Sequence, residues 1–493
     1  MDFTQTKLTM TRSELLSIFI LFVLLFGCSD SKRQSTQPNI IYIMADDLGY
    51  GDVGAFGQEI IQTPNIDAIA TEGVKFTQHY AGTTVCAPSR CVLMTGMHTG
   101  HAEVRGNKQW EPSGQMPISD ETVTVAELLK QNEYTTGMIG KWGLGEPGTS
   151  GDPLKQGWDF FYGYTDQVLA HNYYPEFLWK NGEKIYLDNE VKYLDPDAWH
   201  EGLGSYSTKK VEYSPDLMAE EALGFIESNK NKPFFLYLPF TLPHDNGEAP
   251  DSLKNEVPSH GRFADKDWPY MWKGYAAMIE RLDDYVGQVT QKVKQLELDE
   301  NTVIIFTSDN GPFKGRAFTT DSVFASNGPL RGFKRDLYEG GIRVPFMARW
   351  PGVIPPGTTS DHPSGFQDFL ATVADITNIQ NVPETDGISY FNAMIGEPQK
   401  KHEYLYWEFH GSTEIDGVRV KNSQAIVKGD YKAIRNGVFD DPNASVELYN
   451  LRYDLGENTN IASDEPAIVA EMIALMDRAH EPDPKWPLFN VEK

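Results

Sequence analysis

Hydrophobic and polar positions along this chain fall into two kinds of block. The run NIIYIMADD (Asn39 to Asp47) is apolar and β-branched until it ends in two adjacent acids, the pattern of a strand buried on both faces of a parallel sheet. TTGMIGK, KPFFLYLPFT, NTVIIFTSDN and RVPFMARW read the same way. Between them lie helical patterns. TPNIDAIATEG has Thr63 as N-cap, Pro64 at the first helical position and Gly73 as C-cap, and TVTVAELLKQN, SPDLMAEEALGFIESN and the long WPYMWKGYAAMIERLDDYVGQVTQKVKQL are further helices. Strands alternating with helices predict an α/β domain with a large, mostly parallel sheet flanked by helices. Past GFQDFLATVADITN the spacing shortens. HEYLYWEF, AIVKGDYKAIRN and VELYNL are close-set strand patterns, followed by the amphipathic PAIVAEMIALMDRAHE, which predicts a smaller antiparallel α+β subdomain.

The N-terminus follows a different rule. Lys7 and Arg12 precede the apolar LLSIFILFVLLFG, which is short for a membrane span and stops at Cys28. Residues 1–28 are expected to be an export signal, and Leu25-Phe26-Gly27-Cys28 resembles a bacterial lipobox, in which the cysteine takes lipid. The chain is therefore expected in the periplasm or at the cell surface, anchored to a bacterial membrane only through that lipid. A Ser/Gln/Pro linker spans 29–37, a catalytic domain 38–389 and the C-terminal subdomain 390–493.

Charge narrows the partners. A net charge of −27 leaves no basic stripe for a phosphate backbone, which excludes nucleic acid. An anionic substrate would have to be drawn by a few cations focused in a cleft. With Cys28 lipidated, two of the three cysteines remain, Cys86 and Cys91, too few for a disulfide framework and too close across a helix start to pair.

In open α/β sheets, ligands bind beyond the carboxyl ends of the strands. Asp46 and Asp47 end one strand, Asp309 and Asn310 another; together they form a hard oxygen set suited to Ca²⁺ or Mg²⁺, although such pairs also serve as turns and caps. Cys86 opens the stretch CAPSR. As it stands it could be a small buried hydrophobe or a thiolate paired with Arg90, and a hard cation is a poor partner for either sulfur form. A third course is chemical conversion, since CAPSR matches the CxPSR signature at which sulfatases oxidise cysteine to formylglycine.

At this point the chain resembles the formylglycine-dependent type I sulfatases of the alkaline phosphatase superfamily. NIIYIMADDLGYGDVGAFG, CAPSRCVLMTGMHTG, GMIGKWGLG, TSDNGP and LRGFKRDLYEGGIRVP carry the resemblance, in that order, over nearly all the chain after the signal segment. It implies an alkaline-phosphatase-like fold and one calcium ion held by Asp46, Asp47, Asp309, Asn310 and the modified Cys86. It implies that Arg90 holds the formylglycine hydrate, that Lys141 and Lys334 clamp sulfate oxygens, and that His244 protonates the leaving alcohol. One hydroxyl of the hydrate attacks sulfur and the other, once deprotonated, collapses to the aldehyde and expels sulfate; a maturation enzyme must first make the aldehyde. Fixed cations and a divalent ion stabilise charge as it shifts, and a placed proton donor spares the alkoxide.

One position departs from the family. Many relatives have GKWHLG, whose histidine contacts the hydrate or the sulfate, and this chain has Gly143 there. His79, His98, His101 and His171 are candidate substitutes. GKWGLG together with HNYYP at His171 is similar to polysaccharide sulfatases acting on the 4-O-sulfate of galactose or N-acetylgalactosamine, which implies a sulfated carbohydrate substrate with His171, Asn172, Arg105 and Asn107 as sugar contacts. Two rival readings are a phosphodiester or phosphonate hydrolase of the same superfamily and a catalytically impaired glycan-binding lipoprotein.

Overall fold

In the computed structural model, which describes residues 37–110, 114–194, 204–314, 323–411, 414–415, 418–419 and 421–492, Asn39–Ala45 is a central strand of a ten-stranded sheet. The expected export signal with Cys28, and residues 29–36 of the linker, lie outside the described residues. From one edge the strands are Thr358–Ser360, Val74–Phe76, Phe346–Arg349, Thr302–Ser308, Asn39–Ala45, Phe234–Pro239, Thr135–Lys141, Phe160–Tyr164, Phe177–Lys180 and Glu183–Tyr186. The five consecutive strands from Thr302–Ser308 to Phe160–Tyr164 run parallel, and antiparallel neighbours flank them on both sides. The carboxyl ends of these five strands consequently open on one edge of the sheet.

The period of two explains why the centre is buried on both faces. Ile41, Ile43 and Ala45 pack into one core with the long helix Tyr270–Gln295 and with Ser214–Asn229. Ile40, Tyr42 and Met44 pack into another with Cys86–Thr95 and Asp368–Thr377. The predicted strands and helices all occur. The helix at Thr63 keeps Thr63 at the N-cap position and Pro64 in its first turn, but its C-cap and its capping bonds differ from those expected. Pro64–Thr71 ends at Glu72, and the Thr63 hydroxyl makes no cap bond. Instead, the first backbone N–H groups of the helix, on Asn65 and Ile66, donate to the Asp283 carboxylate from the long helix at 2.9 and 2.7 Å. Gly73 is needed for contact, because a Cβ there would meet the Ala348 carbonyl oxygen at 2.0 Å.

The C-terminal part contributes a four-stranded antiparallel sheet, Leu405–Phe409, Ser423–Lys428, Tyr431–Asn436 and Val446–Asn450, in chain order. The AIVKGDYKAIRN pattern is two strands joined at Gly429, whose φ of +58° suits a glycine. Helix Pro466–Ala479 covers one face of this sheet through Met472, Leu475 and Met476, and the other face packs on Tyr80, Val85, Leu337 and Ile342. The described residues from Pro38 onward form one compact unit, and no described helix is long and apolar enough to cross a membrane.

Candidate active site

Four of the parallel strands deliver polar groups to the same edge. Asp46 and Asp47 follow Asn39–Ala45, Asp309 and Asn310 follow Thr302–Ser308, Lys141 ends Thr135–Lys141, and His244 sits on the loop after Phe234–Pro239. Cys86 is the first residue of helix Cys86–Thr95, and its Sγ lies 3.5 Å from Asp46 Oδ1. Ligand atoms of Asp46, Asp47, Cys86 and His244 all lie within 4.8 Å of one another.

Three cations neutralise this acidic cluster. Lys141 Nζ is 2.7 Å from Asp46 Oδ2, Arg90 Nη2 is 2.7 Å from Asp309 Oδ2 and 3.4 Å from Asp46, and Lys334 Nζ is 2.7 Å from Asp47 Oδ1 and 3.5 Å from the Cys86 sulfur. All are buried. Burial works against the Asp46 carboxylate, but Lys141, Arg90 and Lys334 hold it at about 2. Asp309 is pushed up to about 6 by burial and then by the Asp46 charge. Burial, with Asp46 next, pushes the Cys86 thiol up to about 12, so the unmodified side chain is a neutral thiol at ordinary pH.

Second contacts set these groups in place. Ser89 donates to the Asp309 carbonyl at 2.5 Å and accepts from Gly82 N–H, and Arg90 Nη1 donates to the Lys141 carbonyl at 2.5 Å. Asn310 donates its amide to Asp47 at 2.7 Å, and its amide oxygen is buried with no hydrogen-bond partner among the described residues. His244 faces the Asp245 carbonyl through Nδ1 at 2.6 Å and Lys334 through Nε2 at 3.0 Å. Burial, then the Lys334 charge, push the His244 imidazolium well below the usual histidine range, leaving a neutral ring. The Tyr173 hydroxyl pins the His244 loop by donating to the carbonyls of Thr241 and His244 at 2.8 and 2.5 Å.

The residues expected to touch sugar divide. His171 stacks on His244, with ring centroids 4.1 Å apart and planes at 14°. Asn107 lies beside the nucleophile position, accepting from Ala87 N–H at 3.2 Å in the first turn of the Cys86 helix. Asn172 and Arg105 are occupied elsewhere. Asn172 is buried and bonded to Ser205, Ser207 and Tyr174, and Arg105 is buried against the carbonyls of Ala102 and Glu481. Among the candidate substitutes for the family histidine, His79 is a core residue bonded to Ser364, and His98 and His101 stack beside Asp386. His171 alone of the four contacts His244 among the described residues.

Gly143 has a steric explanation. Its φ is +76°, and a Cβ would lie 1.7 Å from Gln167 Nε2, so the Gln167 amide fills the space beside it. Gln167 and Glu248, which hydrogen-bonds His171, were invisible to sequence reasoning, because a single Gln or Glu in a loop without periodicity carries no signal.

The chain is similar to known proteins over most of its length. The family model described as Sulfatase matches residues 38–379, and that described as N-sulphoglucosamine sulphohydrolase, C-terminal, matches 332–481. The N-acetylgalactosamine-6-O-sulfatase of Bacteroides thetaiotaomicron is 30% identical, over 94% of this chain and 98% of that protein. Arylsulfatase G of Mus musculus is 31% identical, over 88% and 85%. Among solved structures, Ps i-CgsB in complex with k-i-k-neocarrahexaose superposes with a TM-score of 0.72 at 27% identity, covering 93% of this chain and 96% of that one. A Bacteroides thetaiotaomicron sulfatase from work on the metabolism of multiple glycosaminoglycans gives 0.73 at 28% identity, covering 90% and 99%. With the family model spanning most of its length and a polar cluster of this kind at the strand ends, the chain belongs to the type I sulfatase family and is a sulfuric ester hydrolase.

Proposed function

We propose that the protein is a calcium-dependent sulfatase that hydrolyses sulfate esters of a carbohydrate, using an oxygen nucleophile carried by residue 86 after its thiol is converted to formylglycine by a maturation enzyme. The observation that carries this reading is the convergence on Cys86 of an acidic oxygen set and three buried cations. The residues fit a hard ion. Asn310 offers a buried amide oxygen that no described residue uses, beside the carboxylates of Asp46, Asp47 and Asp309, and these four would hold the calcium. When present, the ion supplies positive charge beside the reacting sulfate and the formylglycine hydrate supplies the attacking hydroxyl.

The chain's own residues do the remainder. Arg90, fixed between Asp309, Asp46 and the Lys141 carbonyl, orients the group at residue 86. Lys141 and Lys334 bring preorganised N–H donors to the sulfate oxygens, in a buried setting where such donors act most strongly. His244 and Lys334, in contact with each other, hold a proton for the leaving alcohol.

The carbohydrate is supported by the relatives named for N-acetylgalactosamine 6-O-sulfate and solved with neocarrahexaose. We read the substrate as a sulfated galactose or N-acetylgalactosamine unit of a polysaccharide, and the enzyme as exported and anchored through Cys28. Sulfate release from a panel of 4-O- and 6-O-sulfated galactose and N-acetylgalactosamine oligosaccharides, run beside aryl sulfate and aryl phosphate diesters, tests the reading. Faster turnover of the phosphate diester than of every sulfate would replace it with the phosphodiesterase alternative.

A further inference from the structure

We propose that Glu248 is a positioning residue that sets His171 as a hydrogen-bond acceptor for a sugar hydroxyl next to the sulfate ester, an inference that rests on the carbohydrate sulfatase reading. The two residues come from separate elements. His171 closes the short turn Leu169–His171, fixed by Asp166, whose carboxylate accepts from the N–H groups of Val168 and Leu169 at 2.7 and 2.8 Å. Glu248 lies four residues beyond His244 on the next loop. Both oxygens of Glu248 meet His171 Nδ1, at 3.0 and 3.1 Å.

Three observations make this more than a packing contact. The Glu248 side chain is 1% exposed, and among the described residues it spends its whole carboxylate on this one ring nitrogen. Burying a carboxylate for a single hydrogen bond costs stability, so a stability role is a poor account of it. The His171 ring lies flat against His244, whose Nε2 is 3.0 Å from Lys334, and so forms the wall next to the reacting centre. Finally, His171 Nε2 has no hydrogen-bond partner among the described residues, and the side chain is 14% exposed and within reach of a ligand.

The chemistry of the ligand follows from the tautomer. In the neutral ring, Nδ1–H donates to Glu248, and Nε2 then carries a lone pair. A lone pair on a ring whose other nitrogen faces the Glu248 carboxylate accepts from a hydroxyl and repels an anionic oxygen. The wall therefore favours a substrate whose neighbouring position is a free hydroxyl over one that is sulfated there.

The test measures kcat/KM for the wild type, Glu248→Met and His171→Phe on the cleaved sulfated sugar and on its analogue with the neighbouring hydroxyl replaced by hydrogen. Methionine keeps the length of the glutamate but removes the acceptor for Nδ1–H, and phenylalanine keeps the ring stacked on His244. We expect each variant to lose about tenfold on the hydroxyl-bearing sugar, the worth of one hydrogen bond. The loss should be much smaller on the deoxy analogue. Equal losses on the two sugars would overturn the proposal. A wild type that leaves every sulfated sugar intact would instead bring down the carbohydrate reading itself, and the proposal with it, before any substitution is compared.

Discussion

The Lys334 ammonium lies 3.0 Å from Nε2 of His244, and this contact fixes the orientation of the imidazole's proton. Lys334 can only donate, so Nε2 accepts, and Nδ1–H points to the Asp245 carbonyl at 2.6 Å. The proton that reaches a leaving alcohol comes from this coupled pair. Its loss should matter most when the leaving group is a poor one. His244→Ala is expected to slow turnover of an alkyl or sugar sulfate by about 100-fold or more, and that of an aryl sulfate, whose phenolate leaves unaided, by distinctly less. Comparing the two rate losses checks the assignment; equal losses would remove His244 from proton transfer.

Lys141 ends its strand with a fully buried ammonium 2.7 Å from Asp46. A charge held this firmly in a dry site needs little reorganisation as the sulfate changes charge. Lys141→Ala is expected to lower kcat by at least ~100-fold, measured under saturating substrate. A rate near that of the wild type would show that Lys141 serves only to neutralise Asp46.

Removal of divalent metal with a chelator is expected to abolish turnover and lower the melting temperature, and added calcium should restore both. An ion present at about 100 times its Kd would stabilise the fold by about 2.7 kcal/mol. Thermal unfolding with and without the chelator measures this, and an unchanged melting temperature would contradict the four-residue ligand set.

Stability should also fall from mildly acidic to alkaline pH. His480 Nδ1 and Nε2 bridge the carboxylates of Glu408 and Glu492 at 2.6 and 2.8 Å. Burial opposes its charge, but Glu408 and then Glu492 raise the pKa of His480 above the usual histidine value. A raised histidine contributes stability that is complete below its unfolded pKa of about 6.5 and disappears as pH rises through the folded value. Melting temperatures from about pH 6 to about pH 9 should decline, and His480→Gln should flatten that decline. An identical slope in the variant would exclude this staple as its source.

The central strands and the acids at their ends were legible because burial on both faces writes an unbroken apolar run, and because Asp46-Asp47 and Asp309-Asn310 stop two such runs abruptly. The outer strands were not. Glu183–Tyr186 is fully exposed at the sheet edge, and Thr358–Ser360 and the alternating Val74–Phe76 are three residues long, too short for a pattern to stand out. The site was legible where motif residues carry it and silent where pairing does. Arg105 and Asn172 look free in the sequence and are bonded to backbone carbonyls and to serine hydroxyls, respectively. Glu248 looks like a solvated loop acid and is buried against His171. Such long-range pairs depend on which strand ends the topology brings together, and no local pattern encodes them.

The account depends most on the chemical state of residue 86. Mass spectrometry of the peptide carrying it, from a preparation of known specific activity, should find a residue lighter than cysteine by the exchange of one sulfur and two hydrogens for one oxygen, in proportion to activity. An intact thiol in fully active enzyme would contradict the account.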